Sequence, residues 1–319
     1  MQQLNNSNSI KKVREIVDEV KKAVIGKDKI IIKILLAILA RGHILIEDIP
    51  GVGKTTMALA FSKSLSLEHN RIQFTPDVLP TDVTGFTVYN KHTGNFEFKA
   101  GASMCNLLLA DEINRTSSKT QSALLEIMEE GKVTVDGTTH DLPKPFIVIA
   151  TQNPIGSVGT QALPESQLDR FMIKLSMGYP DITSEMEILK VKSNYNPIEY
   201  INPIADAETL VSLQKVAENI HVDDKIYMYI ARLVEATRNH PMIKLGISTR
   251  GALALMAVSK ATALLKGRDY VIPDDIAYMY KDVFAHRLIL SSNARINNLT
   301  SEEILDEIFN SVKLPSLEP

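Results

Sequence analysis

The stretch Gly51-Val52-Gly53-Lys54-Thr55, separated by four residues from the apolar run Ile44-Leu45-Ile46, constrains this chain more than any other. Gly42-His43-Ile44-Leu45-Ile46 is bounded by turn residues and reads as a buried parallel strand. Thr55 to Leu65 continues as a helix. A strand, a glycine turn and a helix start in that order aim backbone N–H groups and the positive end of a helix at one point, which makes an anion site. Glycine serves there because the backbone must bend in ways that a Cβ disfavours. Pro50, Gly51, Val52, Gly53, Lys54, Thr55 and Thr56 are therefore the candidate phosphate cradle. Lys54 would reach the β- and γ-phosphates, and the Thr55 hydroxyl would face Mg²⁺. The strict pattern carries glycine where this chain has Asp48, a residue that also tolerates tight turns.

The first half of the chain alternates in the same manner. Strands are expected at Arg71 to Phe74, Leu107 to Ala110, Phe146 to Thr151 and Phe171 to Leu175. Helices are expected at Lys11 to Ala23, Lys27 to Ala40 and Ser117 to Glu130, the last stopped by Gly131. Such alternation predicts a parallel sheet covered on both faces. Two segments break it and read as hairpins: Phe86 to Tyr89 with Phe96 to Phe98, and the one that turns at Asp136-Gly137. From Tyr179-Pro180-Asp181 to about Val312 only helical periodicity is visible, at Ser184 to Lys192, Ala207 to Glu218, Asp223 to Thr237, Thr249 to Leu265 and Asp274 to Phe284. This change predicts a nucleotide-binding domain over 1–180 and a helical domain over 181–319. The expected fold class is α/β: three αβα layers with a parallel sheet and β-hairpin inserts, followed by an all-α lid.

Leu107-Leu108-Leu109-Ala110-Asp111-Glu112 ends an apolar strand in two carboxylates, at the edge where open α/β sheets bind ligands. Asp111 is placed to join Thr55 in the Mg²⁺ shell, and Glu112 to take a proton from an attacking water. Phe146 to Asn153 ends another strand in amides, so Asn153 could orient that water. Arg170, in Gln167-Leu168-Asp169-Arg170-Phe171, lies at a helix-to-strand junction, where it can project toward a neighbouring subunit or form a surface ion pair. Arg250 follows a helix N-cap at Ser248 or Thr249 and so lies where the helix dipole disfavours a cation. An arriving anion would account for it, and a triphosphate qualifies.

A net charge of -3 gives no overall basic footprint for nucleic acid. The lone Cys105 excludes an intramolecular disulfide and any multi-cysteine zinc site. Met1 to Ile10 is polar, with no secretory signal. The longest apolar run, Ile30 to Ala40, contains Lys33 and falls short of the roughly 20 residues a membrane helix needs. A cytoplasmic protein is expected.

The phosphate loop, Arg71-Ile72-Gln73-Phe74-Thr75-Pro76-Asp77, Leu79 to Gly85, Ala110-Asp111-Glu112-Ile113-Asn114-Arg115, Ala150-Thr151-Gln152-Asn153-Pro154, Leu163-Pro164-Glu165, Gln167 to Phe171 and Ser248-Thr249-Arg250, in this order, resemble the MoxR family of AAA+ ATPases. The resemblance implies ATP and Mg²⁺ as ligands, a Walker A loop at Lys54 and Thr55, and a Walker B pair at Asp111 and Glu112. It further implies sensor 1 at Asn153, an arginine finger at Arg170 and sensor 2 at Arg250. It implies a homo-oligomer, usually a hexameric ring, whose members remodel, mature or activate client proteins. They often work with a partner bearing a von Willebrand factor A domain. Two other readings stay open: a slowly hydrolysing nucleotide switch or scaffold, and a DNA-remodelling ATPase. The hairpins carry few cations for the latter.

Overall fold

The computed structural model describes residues 6–49, 51–153 and 163–315, so Pro50 of the phosphate loop lies outside the described residues. α1 (Asn6–Lys21) and α2 (Asp28–Leu39) precede β1 (Ile44–Glu47), and α3 (Lys54–Ser64) follows it. Next come β2 (His69–Gln73), α4 (Pro80–Thr84) and a hairpin of β3 (Gly85–Asn90) and β4 (Asn95–Ala100). β5 (Leu107–Asp111) and α5 (Ser118–Glu130) lead to a second hairpin, β6 (Lys132–Val135) and β7 (Thr138–Asp141). β8 (Ile147–Gln152), α6 (Glu165–Leu168) and β9 (Ile173–Leu175) complete the sheet-forming part.

β1, β2, β5, β8 and β9 form one parallel sheet in the order β2-β5-β8-β1-β9. Every residue of β5 and β8 is buried, which is why these segments are apolar up to their polar C-terminal ends and do not alternate. Their side chains still divide by parity. Leu45, Leu108, Ala110, Val148 and Ala150 pack with Leu124, Leu125 and Ile127 of α5. Ile44, Ile46, Leu109, Ile149 and Ile173 pack on the other face with residues of α1, α2 and α3. The result is the expected three-layer arrangement. Each leucine, isoleucine or valine among them, fully buried, contributes about 1.5–3 kcal/mol.

The rest of the chain is mostly helical: α7 (Ile182–Asn194), α8 (Ala207–Glu218), α9 (Asp224–Asn239), α10 (Thr249–Leu265), α11 (Pro273–Phe284), α12 (Ser292–Ile296) and α13 (Ser301–Ser311). One correction applies to the expectation of helices alone. β10 (Ile243–Leu245) and β11 (Ile289–Leu290) pair as an antiparallel ribbon. Strands this short cannot display a two-residue period, so the sequence carries no sign of them. Both expected hairpins are present, and Asp136 and Gly137 have φ of 48° and 78°, as a type I′ turn requires. The Phe98 and His140 rings stack at 3.9 Å and join the two hairpins.

Candidate functional site

Because the sheet is parallel, the C-terminal ends of β5, β8 and β1 lie side by side along one edge. Ala110 aligns with Ala150, and Ala150 with Leu45, so Asp111, Thr151 and Ile46 stand at one level of the sheet. β5 and β1 are separated by β8 alone, or roughly 10 Å at ordinary strand spacing. The turn after β1 and the acids closing β5 therefore face a common space.

Gly51 and Gly53 adopt φ of 89° and 95°, in the left-handed region where a Cβ is disfavoured. Gly53 caps α3, whose first residue is Lys54. The Lys54 ammonium is buried and donates to the Asp48 carbonyl at 2.8 Å. Burial lowers its pKa, opposed by the charges of Asp111, Asp48 and Glu112. One lysine thus feels both the loop and the acidic strand end, the arrangement that a metal–phosphate group bridging them needs. Thr55 and Thr56, half-buried, open the helix beside it.

The acids are held in defined poses. Thr151 Oγ1 accepts from the Glu112 N–H at 2.8 Å and donates to Asp111 Oδ1 at 2.5 Å. Asp111 Oδ2 accepts from Arg71 at 2.8 Å. Glu112 has φ 57°, which turns it out of the strand, and its carboxylate accepts from Arg115 at 3.0 Å. Asn114 Nδ2 donates to the Asn153 carbonyl, and the Asn153 N–H to Asn114 Oδ1. Asn153 Oδ1 is buried with no protein partner, which suits it to accept from a water in the cleft. A Mg²⁺ ion fits these residues if it brings phosphate and water oxygens, as Mg²⁺ usually does. Among the described residues no cluster of three or more acidic, histidine or cysteine side chains could hold a metal unaided. Arg71 and Arg115 grip the two acids, a task that sequence reasoning did not foresee for either. Their partners become visible only with the register of β2 against β5 and the turn after Asp111.

Beside the loop lies a cleft of about 230 Å³ lined by Val24, Ile25, Gly51, Val52, Tyr179 and Ile188, among others. Its apolar walls suit a nucleobase. Sequence reasoning missed these residues, because the α1–α2 turn, the loop and α7 meet only in the folded chain.

Arg170 and Arg250 are brought together, but on the opposite side of the sheet from the loop. The Met172 N–H donates to the His43 carbonyl, so Arg170 lies beyond the N-terminal end of β1 while Gly51 lies beyond its C-terminal end. Strand length and flanks separate them by on the order of 20 Å. Arg170 donates to the Leu125 carbonyl at 2.6 Å and pairs with Glu129 at 3.2 Å. Arg250 pairs with the same Glu129. The Ser248 side chain caps α10, as expected, and the anion that meets the first-turn arginine in a single chain is Glu129. Buried Arg287, also missed from sequence, binds Asp169 at 2.7 Å and the carbonyls of Asp169, Phe171, Met172 and Val283, fixing the backbone around Arg170.

Comparison with known proteins supports this fold. Residues 43–173 match the ATPase family associated with various cellular activities (AAA), and residues 235–308 match the AAA lid domain. Protein YeaC of Bacillus subtilis is 50% identical over 94% of this chain and 93% of its own. Chaperone MoxR1 of Mycobacterium tuberculosis is 38% identical over 94% of this chain and 81% of its own. A crystal structure from Cytophaga hutchinsonii superposes with a TM-score of 0.90 at 38% identity, covering 98% of this chain and 97% of that one.

Proposed function

Because the chain belongs to the MoxR-type AAA+ ATPases, a family with chaperone members, we propose that it binds ATP with Mg²⁺ between loop 51–55 and the Asp111–Glu112 strand end, and hydrolyses it. The observation that carries this reading is the buried Lys54 ammonium, set among the charges of Asp48, Asp111 and Glu112. Gly51, Val52, Gly53, Lys54, Thr55 and Thr56 cradle the phosphates, with Pro50 before them. Mg²⁺, held by Thr55 and Asp111 together with phosphate oxygens, would stabilise the charge on the transferred phosphoryl group. Arg71, the half-exposed partner of Asp111, yields its place there.

Glu112 takes the proton of the attacking water, and Asn153 orients that water through the free Oδ1. Arg170 and Arg250, remote from their own loop, serve the nucleotide of an adjacent copy. A closed ring of like subunits, a hexamer in our reading, meets that requirement. We divide the chain at 180/181 into nucleotide-binding domain and lid, and assign hydrolysis to remodelling or maturing a client protein together with a von Willebrand factor A domain partner. Among the described residues no helix is long and apolar enough to cross a membrane, and we place the protein in the cytoplasm.

A switch or scaffold that turns over slowly is the second reading, and one observation favours it. In the single chain Arg115 occupies Glu112, and Glu129 occupies both Arg170 and Arg250. Turnover per subunit measured against protein concentration separates the two readings. A remodelling ATPase accelerates as subunits associate and again with a client, whereas a scaffold stays slow throughout. The Glu112→Gln form, loaded with ATP, is the trap with which to capture the client.

A further inference from the structure

Asp48 stands where the strict phosphate-loop pattern has glycine, and its buried carboxylate is fully used. Oδ2 accepts from the Met177 N–H at 2.6 Å, the Gly178 N–H at 2.7 Å and Ser176 Oγ at 3.1 Å. Oδ1 accepts from the Ile49 N–H at 2.9 Å. The same segment is gripped from its other side. Lys27 Nζ, also buried, donates to the carbonyls of Met177 at 2.6 Å, Gly178 at 3.0 Å and Tyr179 at 3.0 Å. Next to Lys27, Gly26 lies so close to Ser184 of α7 that a Cβ would come within 2.2 Å of its hydroxyl.

Residues 176–179 are the link from β9 to the lid, and Tyr179 and Pro180 form a wall of the cleft beside Gly51 to Gly53. N–H groups bound by a carboxylate and C=O groups bound by an ammonium leave this link little freedom, since hydrogen bonds to charged groups are the strong ones. Tight turning alone does not need a carboxylate at position 48. We infer that Asp48 and Lys27 are positioning residues for the nucleotide: together they clamp the strand-to-lid link and so hold the Tyr179–Pro180 wall against the phosphate loop. The inference rests on the nucleotide reading of the cleft given above. It adds that nucleotide affinity depends in part on how Asp48 and Lys27, the latter also lining the cleft, hold this link.

The test uses the full chain and its variants Asp48→Asn, Lys27→Met and the double variant, with Lys54→Ala as the reference for the site itself. Asp48→Gly, the residue of the strict pattern, replaces Asp48→Asn if the latter folds poorly. Binding of N-methylanthraniloyl-ADP is titrated by fluorescence, and amide hydrogen exchange is followed at residues 176–180. Each single variant should weaken binding about 10- to 100-fold, the range that loss of charge-assisted hydrogen bonds implies. The double variant should be little worse than the weaker single, because both side chains act on one segment. The Met177 and Gly178 amides should exchange faster in Asp48→Asn, and the KM for ATP should rise far more than turnover at saturation falls. Parental affinity in both single variants, or a fall in turnover with KM unchanged, overturns the clamp and leaves the cleft reading intact. Parental binding by Lys54→Ala removes the cleft reading, and the clamp with it.

Discussion

The position of Arg170 leads to a prediction that distinguishes one subunit's chemistry from its neighbour's. Arg170 and the phosphate loop lie at opposite ends of β1, on the order of 20 Å apart, so no rotamer brings the guanidinium to its own nucleotide. Its present partner is a weak competitor. The Arg170 and Glu129 side chains are 31% and 40% exposed, and ion pairs so open to water hold less than about 1 kcal/mol. An arginine delivered to a phosphoryl transition state is worth about 10³–10⁵ in rate, or roughly 4–7 kcal/mol. On the proposed reading, releasing Glu129 costs far less than the transition-state contact would gain. Arg170→Ala should lose about 10³-fold or more in turnover while binding nucleotide normally. Glu112→Gln should also be strongly impaired, for a different reason. Mixed in equal amounts, the two variants place an intact Glu112 opposite an intact Arg170 at roughly a quarter of interfaces, if interfaces act independently. Phosphate release at fixed total protein should then recover to about that fraction of the parental rate, with light scattering confirming mixed assemblies. If mixed assemblies form and activity stays at the level of the separate variants, the arginine does not act across an interface.

Three further outcomes follow from the same geometry. Glu112→Gln should bind ATP as the parent does and lose at least about 10²-fold in turnover, the usual worth of a general base, as read by single-turnover hydrolysis. Arg287→Met removes the buried partner of the Asp169 carboxylate and the hydrogen bonds to four carbonyls, and should cost about 3–5 kcal/mol in a urea titration, with Arg170 function falling alongside. His43 accepts from the Val148 N–H through Nδ1 and so donates from Nε2 to the Met128 carbonyl, a neutral tautomer whose pKa burial lowers to about 4. The unfolded chain binds this proton near pH 6.5, so stability is full above that value and falls as pH drops toward 4, by roughly 3 kcal/mol in all. His43→Gln should flatten that part of the stability–pH curve measured by chemical denaturation.

What the sequence disclosed and what it withheld divide along a physical line. The glycine turn after Ile46, the acids after Ala110 and the amides after Ala150 are legible because each is local: an apolar run ending in residues that a core would not hold. The lid helices show for the same reason, through their 3.6-residue period. Contacts that arise only on folding do not show. Nothing near Lys27 in the chain predicts that its ammonium meets carbonyls about 150 residues away. Nothing near Glu129 predicts two arginines. Asp48 looked like a tolerated departure, and its four accepted hydrogen bonds give it a task of its own. The ribbon of β10 and β11 escaped because its strands hold three and two residues.

The claim on which the rest depends is that the glycine loop and the closing acids of β5 grasp one magnesium nucleotide. Calorimetric titration of ADP into the parent, Lys54→Ala and Asp111→Asn proteins, each with and without Mg²⁺, measures this directly. The account predicts parental binding that Mg²⁺ tightens, no binding by Lys54→Ala, and binding by Asp111→Asn that no longer responds to Mg²⁺. An affinity that ignores Lys54, or a Mg²⁺ effect that survives without the Asp111 carboxylate, would contradict it.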